Sequence, residues 1–463
     1  MDLSAKLTQF GQQHLLRFAK KLSESQRQQL NHQLAAIDFQ QVQRLTNNED
    51  QAIDWAALAK RAERPPAVKL DRQHPDFTAQ DALAAGEQAL SAGRVGLILV
   101  AGGQGTRLGF DQPKGMFPIG PVSQRTLFQM HCDRLLAIGR RYGKSIALFV
   151  MTSPATDAET RAYFEEHQRC GLAAEDLIIF CQSTMPAVDA QTGKILMSGV
   201  DSLALSPDGH GGLVAALDRH GCLERARQRG IDLFSYAQVD NPLAELCDAE
   251  LIGYHLLSGS QLTTQVVTKR FPTEKVGNVV SVDGKVQIIE YSDLPLAAAE
   301  QRDAAGELKF WAGNIAVHVF DRSLLEDIVA SADGLPFHRA SKVVPFVDEA
   351  GNLVEPEAPN AIKFERFIFD LLPMAERSFV VEGDAAEVFA PVKNANGAEV
   401  DTPETAQAAL LALHRSWLIA AGARVDDTVR VEIHPAWALD ANAVKERLAS
   451  GSQVHFRADT FLR

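Results

Sequence analysis

The stretch Val95-Gly96-Leu97-Ile98-Leu99-Val100-Ala101-Gly102-Gly103-Gln104-Gly105-Thr106-Arg107-Leu108-Gly109, continued by Phe110-Asp111-Gln112-Pro113-Lys114-Gly115-Met116, decides how the rest of the chain is read. Val95–Val100 is apolar at every position but one glycine, which predicts a parallel strand buried on both faces. The chain then enters Ala101-Gly102-Gly103-Gln104-Gly105, where side chains nearly vanish. Such a loop lets the backbone approach a ligand closely, and its successive N–H groups form a nest for an anion. Arg107 and Lys114 add two positive charges. Two other glycine-loop chemistries fail on spacing. A P-loop ends in G-K-[ST], whereas this loop runs Gly105-Thr106-Arg107. A dinucleotide fingerprint needs a third glycine where Leu108 stands. It also needs an acidic residue after the next strand, and the candidate Ser145–Met151 closes on Met151-Thr152-Ser153.

Composition narrows the field. A chain of 463 residues has room for about three domains. With 46% hydrophobic and 23% charged residues it fits a globular protein with a sizeable core. The net charge of -13 argues against wrapping nucleic acid, so an anionic substrate must meet a local basic pocket. The 5 cysteines are scattered without a C-x-x-C, which argues for a reducing compartment and against a zinc site. The first residues, Met1-Asp2-Leu3-Ser4-Ala5-Lys6, hold no apolar signal core, and no run reaches the ~20 apolar residues of a membrane span. The expected location is the cytoplasm.

Outward from the glycine loop, the rhythm on the N-terminal side is helical. Leu3, Leu7 and Phe10 share a face; Ser25 with Gln28 resembles a capping box; Leu30, Leu34 and Ile37 continue the stripe. Pro65-Pro66 breaks the pattern, and a helix over 79–92 ends at Gly93, a suitable C′ residue. On the C-terminal side, helices over 126–141 and 156–168 alternate with strands over 145–151, 177–181 and 233–239. That alternation predicts a parallel sheet with helices on both faces, where ligands bind beyond the carboxyl ends of the strands. Strands over 261–269 and 277–290, the latter turning at Asp283-Gly284, predict an antiparallel extension. Thr402-Pro403 reads as an N-cap and N1 pair opening a helix to Ala421, before Gly422. Val429, Val431 and Ile433 alternate as a strand in a small C-terminal α+β domain.

Two further positions bear on chemistry. Asp240 follows the apolar run Leu233–Val239. A carboxylate at a strand end suits Mg2+, which takes few protein oxygens; Asp also commonly caps a helix. Ser206-Pro207-Asp208-Gly209-His210-Gly211-Gly212 is a second glycine-rich turn, leading into an apolar helix from Leu213. A single histidine in a turn is ordinarily structural or solvated.

The run L-V-A-G-G-Q-G-T-R-L-G with P-K-G-M resembles the signature of the UDP-N-acetylhexosamine pyrophosphorylases and their UDP-sugar relatives. The resemblance extends in order from Val95 to about Gly422. It implies that Ala101, Gly102 and Gly103 bind the nucleotide phosphates and that Val239-Asp240-Asn241 carries the metal-site aspartate. It places Gln182 at the uracil edge and Gly209 and His210 against base and sugar. Glu290, in Glu290-Tyr291-Ser292, and Asn314, in Ala312-Gly313-Asn314-Ile315-Ala316, would hold sugar hydroxyls as in the N-acetylhexosamine branch. Lys363 falls at a nucleotide-phosphate contact and Lys393, in Pro391-Val392-Lys393-Asn394, at the sugar phosphate. His210 departs from this branch, which carries asparagine there, and is similar to the P-G-H-G turn of the UDP-glucose branch.

The implied activity is uridylyl transfer from UTP to a sugar 1-phosphate, N-acetylglucosamine 1-phosphate first, with Mg2+ or Mn2+ as cofactor. Glucose 1-phosphate or a broad set of sugars is the alternative, and a non-catalytic nucleotide-sugar-binding protein the reading from another class. Arg107 and Lys114 are expected to hold the pyrophosphate portion and Lys393 to steer the attacking phosphate, with neither nucleic acid nor membrane as a partner. The expected fold is α/β, a doubly wound mixed sheet of Rossmann-like, GT-A-like nucleotidyltransferase type. A helical region over 1–92, a catalytic domain over 93–385 and a small domain over 386–463 complete the expectation.

Overall fold

A computed structural model describes residues 3–47, 54–331, 334–448 and 454–463. These residues form two compact units, each discontinuous in sequence. One comprises Met1–Asp54, Gln182–Val214 and Asp333–Asp370; the other comprises Trp55–Cys181, Ala215–Ala332 and Leu371–Arg463.

The larger unit is a mixed α/β structure around a nine-stranded sheet. Its strands in chain order are β1 (Val95–Val100), β2 (Leu148–Thr152), β3 (Leu177–Cys181), β4 (Leu233–Gln238), β5 (Leu262–Thr268), β6 (Gly277–Val282), β7 (Lys285–Ile289), β8 (Ala312–Asp321) and β9 (Ser378–Glu382). The run β4-β1-β2-β3 is parallel, with Leu97 opposite Leu148 and Val100 opposite Gln238. β8 then pairs antiparallel with β4 on one side and β5 on the other, and β9 adds parallel to β5. The β6–β7 hairpin joins where Gly277 meets Asn314. Its turn places Asp283 and Gly284 at φ +52° and +80°, the left-handed pair of a type I′ turn, as Asp-Gly predicts. β1 is a continuous apolar run because both its faces are covered: Leu97, Ile98 and Leu99 are fully buried, as are Leu148, Phe149 and Val150 of β2.

Helices α1 (Ala79–Ser91), α2 (Leu127–Tyr142), α3 (Ala249–Leu257) and α4 (Pro403–Ala420) belong to this unit. Thr78, Thr126 and Thr402 cap α1, α2 and α4 with reciprocal capping boxes, and Pro403 opens α4. α1 and α3 cross almost backbone to backbone. A Cβ on Gly86 would lie 1.7 Å from Ala249 O, and one on Gly253 1.6 Å from Ala82 O. Past α4, Val431–Ile433 pairs parallel with Thr460–Leu462 over a small apolar cluster that includes Leu418 and Val444.

The smaller unit packs helices Glu24–Ala35 and Phe39–Thr46 with a three-stranded sheet, His338–Lys342, Ala361–Glu365 and Val188–Asp189 in that order. Leu7, Leu30, Leu34, Val42, Val188 and Phe364 share its core. One local expectation is corrected here. The capping box of Glu24–Ala35 is built from Ser23 and Gln26, not Ser25 and Gln28. The segment Ser23-Glu24-Ser25-Gln26 offers two serines with a glutamine three residues on, and only Ser23 has the extended backbone of a cap (φ -60°, ψ 165°). All 5 cysteines are free thiols, and among the described residues no helix is long and apolar enough to cross a membrane.

Candidate functional site

The glycine loop leaves β1 at its carboxyl end and is tied down by its carbonyls and side chains. Ser153 Oγ donates to Gly102 O at 2.8 Å, Lys114 N to Gly103 O at 3.0 Å, and Gln104 Nε2 to Ala155 O at 2.9 Å. Ala101 N is consumed by Met151 O and Gly105 N by Gln112 O. The amides of Gly102, Gly103 and Gln104 donate to no acceptor among the described residues. Three successive unspent N–H groups form an anion nest. The glycines have separable causes. Gly105 is required by packing, since a Cβ there would meet Phe110 and the Gln112 carbonyl within 3.0 Å; Gly115 likewise seats against the Phe128 ring. At Gly103 a Cβ would meet nothing within 4 Å, so the protein itself places no demand for glycine, whereas a ligand laid on the backbone would.

The charges around this loop fall into a free cation and an ion pair. Arg107 sits exposed in a single turn of 3-10 helix, Thr106–Leu108, with no acidic partner among the described residues. Lys114, at the start of the turn Lys114–Met116, donates from Nζ to Asp240 Oδ2 at 3.2 Å, and both side chains are largely buried. Asp240 lies two residues past β4 and caps no helix: the next one, α3, is capped by Asp248. Asp240 is held by its backbone, with Val239 N donating to Val100 O and Val392 N to Asp240 O at 2.8 Å. His131 Nε2–H donates to Val239 O at 2.9 Å, and burial pushes this imidazole down to about 4. Val392 delivers the next residue, Lys393, to the same place in the chain's hydrogen-bond network. Its ammonium stands 5.7 Å from the Phe389 ring centroid.

Glu290 and Asn314 meet across Gly277. A Cβ on Gly277 would stand 2.8 Å from Ile288 Cγ2, 3.1 Å from Glu290 Oε1 and 3.7 Å from Asn314 Cβ, so glycine is what fits where these three side chains converge. Asn314 Oδ1 accepts from Ala316 N at 3.0 Å, and Ala316 adopts φ +56° where β8 and β5 shift register. The sequence did not single out Gly277; a glycine opening a strand before polar Asn278 was the available signal.

The remaining candidates lie in the smaller unit. Gly209 takes φ +83°, and its missing Cβ leaves room for Arg366 O, 2.4 Å from where it would stand. His210 Nδ1 accepts from Ile368 N at 3.1 Å, and the ring stacks on Phe367 at 5.4 Å between centroids. Burial and then the neighbouring His338 lower it to about 4, so the ring is neutral, with its proton on Nε2. Lys363 lies on the strand Ala361–Glu365 opposite Ala340, and Gln182 is buried at the start of the segment 182–214. Phe367 and Arg366, which fix the glycine-rich turn, were not legible as site residues.

A family model described as UTP–glucose-1-phosphate uridylyltransferase matches residues 37–446. The chain is 37% identical over 451 residues to the human UDP-N-acetylhexosamine pyrophosphorylase-like protein 1, covering 94% of this chain and 88% of that protein. It is 39% identical over 355 residues to the UDP-N-acetylglucosamine pyrophosphorylase of Saccharomyces cerevisiae, covering 75% and 74%. A crystal structure of the uridine diphosphate N-acetylglucosamine pyrophosphorylase of Trypanosoma brucei, in complex with an inhibitor, superposes with a TM-score of 0.83 at 28% identity, over 100% of this chain and 98% of that one.

Proposed function

The chain belongs to the UTP–glucose-1-phosphate uridylyltransferase family, and we propose that it is a nucleotidyltransferase making UDP-N-acetylglucosamine and pyrophosphate from UTP and N-acetylglucosamine 1-phosphate. The observation that carries the reading is the row of unspent amides, Gly102 to Gln104, on a loop whose Gly103–Lys114 hydrogen bond leads to the Lys114–Asp240 pair. A triphosphate needs that combination of main-chain donors, fixed cations and a carboxylate for a hard metal ion.

A sugar phosphate oxygen forms a bond to the α-phosphorus of UTP while the bond from that phosphorus to the β-phosphate bridging oxygen breaks, and pyrophosphate leaves. No protein nucleophile takes part; the residues position and neutralise. The amides of Gly102 and Gly103, with the backbone at Ala101, bind the nucleotide phosphates. Arg107 and Lys114 hold the departing pyrophosphate. Lys393 receives the sugar phosphate, where unrelieved repulsion between two anions about 4 Å apart costs ~4 kcal/mol at an effective dielectric of 20. Glu290 and Asn314, both beside Gly277, accept and donate to the sugar hydroxyls. The resemblance assigns Gln182, Gly209, His210 and Lys363, all in the smaller unit, to uracil, sugar and nucleotide phosphate.

Asp240 is the residue that would hold Mg2+ or Mn2+, which when bound supplies positive charge to the phosphate oxygens. The residues fit such an ion. The Asp240 carboxylate, largely buried beside the glycine loop, offers the kind of hard oxygen donor that Mg2+ takes from a protein when phosphate and water complete its shell. The Asp240 carboxylate is already matched to a cation, Lys114 Nζ.

The mixed sheet is read as the Rossmann-like, GT-A-like core of the nucleotidyltransferases, with residues 93–385 as the catalytic domain, to which Lys393 is added from the segment that follows, and the protein working in the cytoplasm. Glucose 1-phosphate is the second substrate, because His210, a neutral donor fixed by Ile368 and Phe367, stands where the N-acetylhexosamine branch usually carries asparagine and is similar to the UDP-glucose branch. The test is pyrophosphate release from UTP with a panel of sugar 1-phosphates. Fastest release with N-acetylglucosamine 1-phosphate is expected. Release from none of them would overturn the reading, and preference for glucose 1-phosphate would reassign the sugar.

A further inference from the structure

The lysine that follows β5 is buried and matched to no carboxylate. Lys269 is 4% exposed, and its backbone N donates to Trp311 O at 2.8 Å, which keeps it beside the start of β8. Its stem passes over Gly313 of β8, where a Cβ would stand 3.3 Å from Lys269 Cγ and 2.9 Å from Val276 Cγ2. Gly313 pairs with Val267 of β5 on one side and with Asn278 of β6 on the other. The lysine therefore reaches across β8, and Nζ donates to Asn278 Oδ1 at 2.5 Å and to Pro272 O at 3.0 Å. Asn278, itself buried, donates from Nδ2 to Ile289 O at 3.1 Å. That carbonyl belongs to the peptide that joins Ile289 to Glu290. Asn278 also adjoins Gly277, the partner of Asn314. One buried chain of side-chain hydrogen bonds, from Lys269 through Asn278 to Ile289, thus runs beneath both candidate sugar residues.

Stability alone does not call for this ammonium. A buried charge is costly unless a counter-ion matches it, and Lys269 has no ion pair among the described residues. Glu274 is already committed: Arg270 N and Arg270 Nε each donate to its carboxylate at 2.7 Å. Burial lowers the pKa of Lys269, and the Glu274 charge acts in the opposite direction. A methionine would fill the same path over Gly313 without carrying a charge into the interior. It could not donate to Asn278. That bond has a definite consequence, because a side-chain amide has one accepting and one donating end. With Oδ1 held by an ammonium, Nδ2 is turned toward Ile289 O.

We propose that Lys269 is a positioning residue whose ammonium fixes the Asn278 amide and, through the Ile289 carbonyl, aims Glu290 beside Asn314 at the sugar hydroxyls. The inference rests on the reading of Glu290 and Asn314 as sugar residues.

Lys269→Met tests this, because it keeps the stem and removes the ammonium. The KM for N-acetylglucosamine 1-phosphate is expected to rise about tenfold, while the KM for UTP stays within about twofold. The thermal midpoint is expected to change little, since the lost hydrogen bonds are offset by release of a buried charge. In a Glu290→Gln background, Lys269→Met should add no more than about twofold, the mark of two residues acting as one. Lys269→Gln keeps one donor for Asn278 and should raise the sugar-phosphate KM less, about threefold; it carries the test should the methionine variant not fold. An ordinary sugar-phosphate KM in a folded Lys269 variant would overturn the proposal. So would losses that multiply in the double variant, and so would equal losses for both substrates with a lowered thermal midpoint. A Glu290→Gln variant with an ordinary sugar-phosphate KM would instead sink the reading of Glu290 itself.

Discussion

Arg107 and Lys114 carry the same charge but stand in opposite situations. Arg107 is exposed and unpaired among the described residues, so Arg107→Ala should leave thermal stability within about 0.5 kcal/mol while lowering kcat by about 10²–10³-fold. Steady-state kinetics with near-ordinary turnover would remove it from the reaction. Lys114 is buried against Asp240 and competes with any divalent ion for that carboxylate. Lys114→Met should therefore bind Mn2+ alone about tenfold more tightly than the parent protein, a gain of about 1.4 kcal/mol, even as turnover falls. Unchanged or weaker Mn2+ binding, followed by electron paramagnetic resonance, would contradict that competition. At this scale residue type and spacing located the glycine loop after Val95–Val100 and Asp240 after the apolar run to Val239, and the structure joins Lys114 to Asp240. The approach of Glu290 and Asn314 at Gly277 was not legible, because it is made by the pairing of β6 with β8, and nothing local to residue 277 states its partner.

The elements follow their local signals closely, with differences that have physical causes. Helix α4 begins after Thr402, the cap read from the sequence, and α1 and α2 begin after Thr78 and Thr126, caps not named in that reading. β2 begins at Leu148 rather than Ser145: Ile146 and Ala147 are buried as an apolar lead-in, but ladder pairing starts with Leu97 opposite Leu148. An apolar run reports burial and does not report where hydrogen bonding begins. Gly86 and Gly253 make the same point for helices. Each weakens its helix locally by about 1 kcal/mol relative to alanine, yet each is the point where α1 and α3 touch backbone to backbone. Gly253→Ala should cost about 3 kcal/mol by overpacking, the reverse of its propensity effect. Denaturant unfolding that finds the alanine variant as stable or more stable would show that the two helices can separate freely.

For the molecule as a whole, buried neutral histidines set the response to acid. Burial lowers His131, His210 and His414 to about 4 from an unfolded value of 6.5. Because the folded pKa lies below the unfolded one, protons bind the unfolded chain first. The stability these groups confer is complete above pH 6.5 and declines as pH falls from 6.5 toward 4, each contributing on the order of a few kcal/mol. His414→Gln, in which the amide oxygen can still accept from Ile433 N, should flatten that decline; an unaltered slope of unfolding free energy between pH 7 and pH 5 would show His414 does not contribute. The division of the chain into two discontinuous units was the feature least legible from sequence. Residues 182–214 and 333–370 pair with each other, as Ile362 does with Val188, and Val188 and Phe364 share a core with Leu7, Leu30 and Leu34 of residues 1–54, over separations that periodicity does not report. The most direct trial of the whole account is anomalous diffraction from crystals soaked with Mn2+ and UTP. The account predicts a manganese peak on the Asp240 carboxylate, with Lys114 displaced toward phosphate oxygens that also accept from the amides of Gly102, Gly103 and Gln104; a manganese peak and nucleotide density away from these residues would contradict it.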